Sequence, residues 1–302
     1  MIDILIGSLV VGAAAAGLYW GLYDNRSKTV YLITRIKARH KIKPRLLAAL
    51  QEAPSLAAAL ETINRYDPDL HLYLERHGLS KGLFEYLFSE LAFVRRNAPE
   101  KAKPLFDAYL QKYEMVNSFL AYLGVPYAYP LEKRIKEKIS GENLGRLRLI
   151  FERGILQKLI KAAAQTEDKE LQALVTKYVK LCEFRFLLRK KLAEVPFERV
   201  SKHLIHPGFF RNAYQQPMSS FVQWFLKSQR MEQSLKLYMQ EFSLSDMEAG
   251  FDRDFHAMFE RLARKKPMSI SLLFLYLLRL DAYLSSIREI LLKLRWKEWK
   301  LL

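Results

Sequence analysis

The stretch Tyr178–Leu192, YVKLCEFRFLLRKKL, decides the fold class. On a helix, at about 100° per residue, Leu174, Leu181 and Leu188 fall into one narrow sector. Arg185 falls into the same sector, among side chains that a helix should bury. Three interpretations are open for such an arginine: contact with nucleic acid, a catalytic clamp, or a structural arginine in a repeated helical scaffold.

The composition favours an all-α protein. Half of the 302 residues are hydrophobic and 27% are charged, which is typical of a globular chain, and glycine (12) and proline (11) are sparse. No alternating apolar and polar runs predict a sheet. Cys182 is the one cysteine, and we expect it to be a small core residue in a reducing compartment. The formal charge of +17 predicts an anionic partner or surface.

The amino-terminal segment predicts a membrane anchor. Residues 4–23 contain no charged side chain and would span about 30 Å as a helix, the thickness of a hydrocarbon core. Eight basic residues and no acidic ones follow within residues 25–47. The positive-inside rule then predicts a single-pass cell-membrane protein over residues 1–24, with its N-terminus outside and residues 25–302 on the cytoplasmic face. A cleaved signal peptide and an alanine-rich soluble helix are the alternatives.

Small residues recur every four positions within this predicted anchor. Such ladders allow two membrane helices to approach closely, although small residues are also common filler in a weakly hydrophobic span. The ladder predicts packing against another membrane helix through two rows of residues: Ser8, Gly12 and Ala16, and Ala13, Gly17 and Gly21.

Helix-boundary signals divide the remaining chain. Ser55, after a proline, is a good N-cap residue for the apolar period that follows it. Proline and glycine clusters at residues 124–130 and 206–217 mark longer interruptions. The apolar segment Ile270–Leu292 contains four charged residues, so it is predicted to be a buried core helix rather than a second membrane span.

Three stretches of the chain resemble one another: KYEMVNSFLAYLG from Lys112, KYVKLCEFRFLLRKK from Lys177 and LDAYLSSIREILLKLRW from Leu280. Their alignment places Asn117, Glu183 and Ser286 in one column, 66 and 103 residues apart. Phe119, Arg185 and Arg288 share the column two positions later, and Arg288 falls among Leu277, Leu284 and Leu292 on its helix. We therefore expect Arg185 and Arg288 to be buried structural arginines, each with a carboxylate or carbonyl partner on a neighbouring helix.

This succession resembles the C-type central-stalk protein of the prokaryotic V/A-type rotary ATPases, the relative of the eukaryotic d-type protein. Each unit in that family carries an acidic residue, then Asn-Leu-Arg, then a run of Leu or Ile. EFRFLLRKK matches with Glu183 in place of Asn, DAYLSSIREIL has Ser286 there, and YEMVNSFLAYL keeps Asn117 but places Phe119 at the basic position. The linker FERVSKHLIHPGFF is also similar, and the resemblance covers roughly residues 28–298.

The resemblance implies three related helical-bundle units, roughly residues 25–125, 126–210 and 211–302, arranged as a funnel-like socket. It further implies a non-catalytic central-stalk or rotor subunit that links the membrane rotor ring to the central shaft and transmits torque for proton or sodium transport. Ring and shaft subunits are the partners. The anchor departs from the usual soluble family member, and it could lie inside the ring lumen or outside the ring as a tether.

The sequence contains no clear catalytic or nucleotide-binding motif. The GENLG stretch lacks the spacing and the lysine of a phosphate loop, and His203 and His206 have no third metal ligand in their loop. We therefore predict no enzyme activity and no catalytic, cofactor or metal site.

The basic run at residues 37–45 is predicted to face anionic lipid head groups, and nucleic-acid binding is not expected. Trp296 and Trp299 in LRWKEWK fit an aromatic interfacial tail as well as a nucleic-acid contact. The rival function is a membrane-tethered helical adaptor or assembly factor that binds an acidic protein or anionic lipid.

Overall fold

The computed structural model describes residues 32, 34–36, 45–122, 144–266 and 269–299, and these residues are predominantly helical. Residues 45–51 are helical and precede twelve α-helices, and the described residues contain no strand. The all-α prediction is confirmed for these residues. The helices are α1 (Leu56–Tyr66), α2 (Pro68–His77), α3 (Leu79–Asn97), α4 (Lys103–Tyr122), α5 (Leu144–Gln165), α6 (Lys169–Leu192), α7 (Phe197–Ser201), α8 (Pro207–Tyr214), α9 (Met218–Ser228), α10 (Glu232–Glu241), α11 (Leu244–Lys265) and α12 (Ile270–Trp299).

Several predictions concern residues outside these ranges. The predicted anchor over residues 1–24, with its ladder of small residues, is one of them, and so is the boundary at residues 124–130. Most of the basic run is another, since only Arg45 of that run is described. The grouping of the helices into three units around a funnel also stays a prediction.

Short polar side chains start several of the helices, and at Ser55 the cap is the one that the sequence predicts. The Ser55 hydroxyl accepts from the backbone N–H of Ala58 at 3.2 Å and begins α1. Asp67 begins α2 in the same way, with Pro68 in the first turn, where a missing N–H costs nothing. Asp168 accepts from two backbone N–H groups at the start of α6. These caps define the directions in which the long helices leave their loops.

Helix α12 is the centre of the fold. Every residue from 271 to 280 is buried, and the helix packs against α1, α3, α6 and α11. Among the described residues, the segment Ile270–Trp296 is the one helix long and apolar enough to cross a membrane, and 72% of its most apolar window is buried inside the protein. This burial agrees with the prediction of a core helix.

A cluster of aromatic rings packs α6 against α8 and α9. The ring of Phe184 stacks on that of Phe225 in α9, with centroids 3.8 Å apart and planes 6° from parallel. Phe210 of α8 stacks on Phe225 as well, at 6.1 Å. Aromatic packing of this kind buries large areas and holds α6 against α8 and α9, while Tyr178 of the same helix contacts Phe274 of α12.

Two buried carboxylates tie helices to each other. Glu90 of α3 accepts a hydrogen bond from the Tyr276 hydroxyl of α12 at 2.8 Å. Asp254 of α11 accepts from the backbone N–H groups of Gln233 and Ser234, both at 3.0 Å, and thereby satisfies the start of α10. Neither contact was predicted from the sequence.

Helices α10 and α11 approach each other at Gly250. A Cβ atom at this position would lie 2.4 Å from Ser234 Cα, well inside van der Waals contact. The backbones can therefore pack this closely only because residue 250 has no side chain.

Candidate functional site

The three helices that carry the resembling stretches, α4, α6 and α12, meet at a cluster of charged and aromatic side chains, which we call the joint. It consists of Tyr109, Lys112 and Tyr113 from α4, Tyr178, Cys182 and Arg185 from α6, and Asp281 from α12. At its centre the Lys112 ammonium donates to Asp281 Oδ2 at 2.9 Å. The two side chains are 31% and 30% exposed, so water reaches the pair at its edge.

Tyrosine rings surround the ammonium group. Lys112 Nζ lies 4.9 Å from the ring centroid of Tyr113, 5.4 Å from that of Tyr109 and 5.8 Å from that of Tyr178. The Tyr113 hydroxyl donates to that of Tyr109 at 3.3 Å, and Tyr109 donates to Asp281 at 3.5 Å. The cation is thus balanced by one carboxylate and by the electron-rich faces of aromatic rings.

The electrostatics of the joint keep Lys112 and Asp281 charged. Burial is the largest single influence and lowers the pKa of Lys112, but the Asp281 carboxylate, together with smaller contributions from Tyr109 and Cys182, raises that pKa above its ordinary value. Burial would raise the pKa of Asp281, yet Lys112, with a contribution from Arg185, lowers it. Burial also raises the pKa of Tyr178 and of the Cys182 thiol. At neutral pH the thiol and the phenol are therefore protonated, and Lys112 and Asp281 form an ion pair.

Three residues of the joint occupy equivalent positions in the three resembling stretches. Lys112, Tyr178 and Asp281 each lie five residues before the column of Asn117, Glu183 and Ser286, so they occupy one column of the alignment. Two further columns are buried in all three helices: Ala108, Leu174 and Leu277, and Tyr109, Val175 and Leu278. The same face of each resembling helix therefore points into the fold, and one position on that face is where the three helices meet.

A search for similar residues misses this column. Lysine, tyrosine and aspartate are residues of different types: Lys112 and Asp281 are related by opposite charge, and Tyr178 offers the face of its ring to the Lys112 cation. The alignment of the three stretches could have revealed them. Once the stretches are aligned, residues of opposite charge that share a column on the buried face are candidates for contact.

The predicted signature residues have different surroundings. Asn117 lies on α4, and its side chain is not among those described. Glu183 is buried, Arg185 is half-buried, and Ser286 is exposed, with its hydroxyl bonded to Ala282 O of its own helix at 3.1 Å. The Arg185 guanidinium lies 5.1 Å from the ring centroid of Phe251 on α11.

The predicted burial of Arg288 is wrong, because this side chain is exposed. Beyond residue 280, neighbouring helices cover only one stripe of α12, and it contains Ile287, Leu291 and Leu294. Arg288 lies outside that stripe. Leu292, which the sequence pattern placed beside Arg288 on a buried face, is itself 43% exposed.

Because Arg185 is half-buried and Arg288 is exposed, the two arginines should differ in their sensitivity to substitution. Arg288→Ala should change the free energy of unfolding by no more than about 0.5 kcal/mol, as is usual at exposed positions. Arg185→Ala should cost about 1 kcal/mol, because it removes the contact with Phe251 and the packing of a long side chain. Denaturant titrations of both variants in detergent would measure the difference, and an equal loss would contradict it.

Glu183 holds the loop that precedes α8. One carboxylate oxygen accepts from the backbone N–H groups of Ile205 and His206, the latter at 3.0 Å, and the other lies 2.8 Å from His206 Nδ1. The carboxylate is therefore satisfied although only 3% of the side chain is exposed. The signature position of the second stretch thus acts as a structural clamp between α6 and the 203–206 loop.

We expect Glu183→Ala to lower the free energy of unfolding by about 2 kcal/mol, since it leaves two backbone donors without their acceptor. Glu183→Gln keeps an acceptor oxygen at the same place and should cost less than about 1 kcal/mol. Comparing the two by thermal unfolding separates loss of the hydrogen bonds from loss of charge. An equal effect would mean that the hydrogen bonds contribute little.

No group of three or more His, Cys, Asp or Glu side chains that could hold a metal ion occurs in the described parts of the chain. His206 is directed to Glu183, whereas the His203 ring lies edge-on to Phe186, with centroids 6.3 Å apart. The two histidines considered as a weak metal pair thus have separate structural contacts. No protein-family model, curated protein or solved structure matches the chain.

Proposed function

We propose that this protein is a non-catalytic rotor part of a V/A-type ATPase, and that it connects the membrane rotor ring to the central shaft. The proposal starts from the resemblance of three successive stretches to the repeated helices of the C-type central-stalk protein. The joint is the observation that supports the proposal most strongly. There, the three residues of a single alignment column, Lys112, Tyr178 and Asp281, lie together, one from each stretch. Contact at one shared column is what three related units around a common centre require.

The contacts of the joint suit a part that transmits torque. Such a part has to keep the relative positions of its units under load, and directional contacts restrict sliding more than apolar packing alone. Lys112 and Asp281 supply this between α4 and α12, while Glu90 and Tyr276 supply it between α3 and α12. The chain contributes stiffness to the machine, and chemistry takes place in other subunits.

Co-purification tests the proposal. The full chain, tagged and extracted in mild detergent from its native membranes, should carry ring and shaft subunits in a fixed proportion, measured by quantitative mass spectrometry. Asp281→Lys, which places two cations in the joint, should reduce the yield of the complex. Lys101→Ala should not, because it removes only an exposed ion pair with Glu167.

Recovery of the wild-type chain without ring or shaft subunits would overturn the proposal. Recovery with a single acidic protein instead would favour the membrane-tethered adaptor.

A further inference from the structure

Large apolar side chains are exposed mainly at one end of the described fold. Six such residues are strongly exposed, and four of them lie on α12 or at the end of α10. These are Met239 at 44%, Phe242 at 60%, Leu292 at 43% and Trp296 at 61%. Scattered exposed apolar residues need no explanation, but a group of four with two aromatic rings does.

Helix geometry places these residues at the same end. A short connection joins α11 to α12 and the two helices pack together, so they run antiparallel. The 22 residues of α11 span about 33 Å, which brings its first residue, Leu244, level with about residue 291 of α12. Phe242, two residues before Leu244, therefore lies at the same end as Leu292. We call this end, with Met239, Phe242, Arg288, Leu292, Arg295 and Trp296, the α12 tip.

Cations flank the apolar residues of the tip. Leu292 and Trp296 are one turn apart on the exposed face of α12, and Arg288 and Arg295 are exposed beside them. Lys293 lies on the other side, paired with Glu289 at 2.7 Å. The pattern is a row of apolar side chains with basic residues along its edges.

Phe242 is exposed in a conformation that suits it poorly. Its φ of 48° and ψ of 27° lie in the left-handed region, where bulky side chains are rare. Its ring contacts that of Tyr238 edge-on at 5.8 Å, one turn earlier. The left-handed conformation ends α10 as a C-cap, with the Phe242 N–H donating to Tyr238 O at 2.7 Å, and it leaves a large apolar ring exposed at this end of the fold.

We propose that the α12 tip rests in the head-group layer of an anionic membrane. Tryptophan and phenylalanine favour this layer because it accommodates an apolar ring beside polar groups, and arginine and lysine bind lipid phosphates there. An acidic protein surface would pair with the basic edges but would leave the apolar row without a matching partner. The overall charge of +17 also favours an anionic surface.

The orientation that follows places the carboxyl end of α12 against the lipid. This inference goes beyond the rotor proposal and does not depend on it, since the two tests measure different contacts.

An environment-sensitive dye at the tip tests the inference. In the full chain with Cys182→Ala, Leu292→Cys would be labelled and the protein reconstituted in phosphatidylcholine, with or without phosphatidylserine. Leu72→Cys, at an exposed apolar residue of α2, is the matched control. We expect a blue shift of the dye at position 292 that requires phosphatidylserine and is reduced by high salt, with no such shift at position 72.

Phe242→Asn separates lipid contact from misfolding. Asparagine tolerates the left-handed conformation, so this variant should melt at the same temperature as the parent chain or higher, yet show a smaller shift at position 292. An unchanged emission at position 292 in the two lipid mixtures would overturn the proposal. So would a shift that appears without lipid as the protein concentration rises, because it would identify a second copy as the partner.

Discussion

Replacing Gly250 by alanine should lower the free energy of unfolding by about 3 kcal/mol, since added volume that cannot be absorbed forces helices apart. The new Cβ would lie 2.4 Å from Ser234 Cα and 2.8 Å from Ser234 N. Both are backbone atoms, so no rotation of a flexible side chain can relieve the contact. Separation of α10 from α11 would also weaken the hydrogen bonds from Ser234 to Asp254.

The matched control is Gly154→Ala. Gly154 lies inside α5, and a Cβ atom there would have no neighbour within 4 Å. Because alanine favours a helix over glycine by about 1 kcal/mol, this variant should be more stable than the parent chain. Denaturant titrations in detergent would measure both. A harmless Gly250→Ala would show that α10 and α11 are not packed this closely.

Removing one partner of the joint should have a comparable effect. Asp281→Leu leaves the Lys112 ammonium among three tyrosine rings without its carboxylate, and breaking such a pair costs about 3 kcal/mol. This expected loss lies at the low end of the costs measured for breaking buried ion pairs, because water reaches the edge of the joint. Combining Asp281→Leu with Lys112→Met should recover most of the loss, since two apolar side chains can replace a pair of charges.

The pH dependence provides an independent measurement. The pKa of Asp281 is lowered in the folded protein, so its contribution is present above the ordinary value of about 3.9 and is lost as the pH falls below it. The pKa of Lys112 is raised, so its contribution is present below about 10.4 and is lost as the pH rises through the folded value. The double variant should lose less stability in acid than the parent chain. Identical acid profiles would indicate that the pair contributes nothing.

The sequence predicted those features of the fold that depend on neighbours along the chain. The cap at Ser55 and the core character of α12 follow from short patterns with a clear physical cause. The exposure of Arg288 did not follow, because two apolar stripes on α12 compete in the sequence. Only the position of the neighbouring helices decides that Ile287 and Leu291, rather than Leu292, are covered.

The clamps and the joint depend on contacts between residues far apart in the chain. Lys112 and Asp281 are separated by 169 positions, and Glu90 and Tyr276 by 186, so no local pattern links them. The alignment of the three stretches did bring Lys112, Tyr178 and Asp281 to one column. Recognising them needed the further premise that aligned positions on buried faces are neighbours in space.

The central position of α12 has a consequence for biosynthesis. Helices α1, α3, α6 and α11, which surround it, all precede it in the chain and leave the ribosome first. Until α12 emerges, the apolar side chains that these helices bury against it lack that cover, and α12 itself is long and apolar enough for an insertion machinery to mistake it for a membrane span. We therefore expect the core to form only once α12 docks against these helices, and chains stopped before it to be targets for chaperones and proteases.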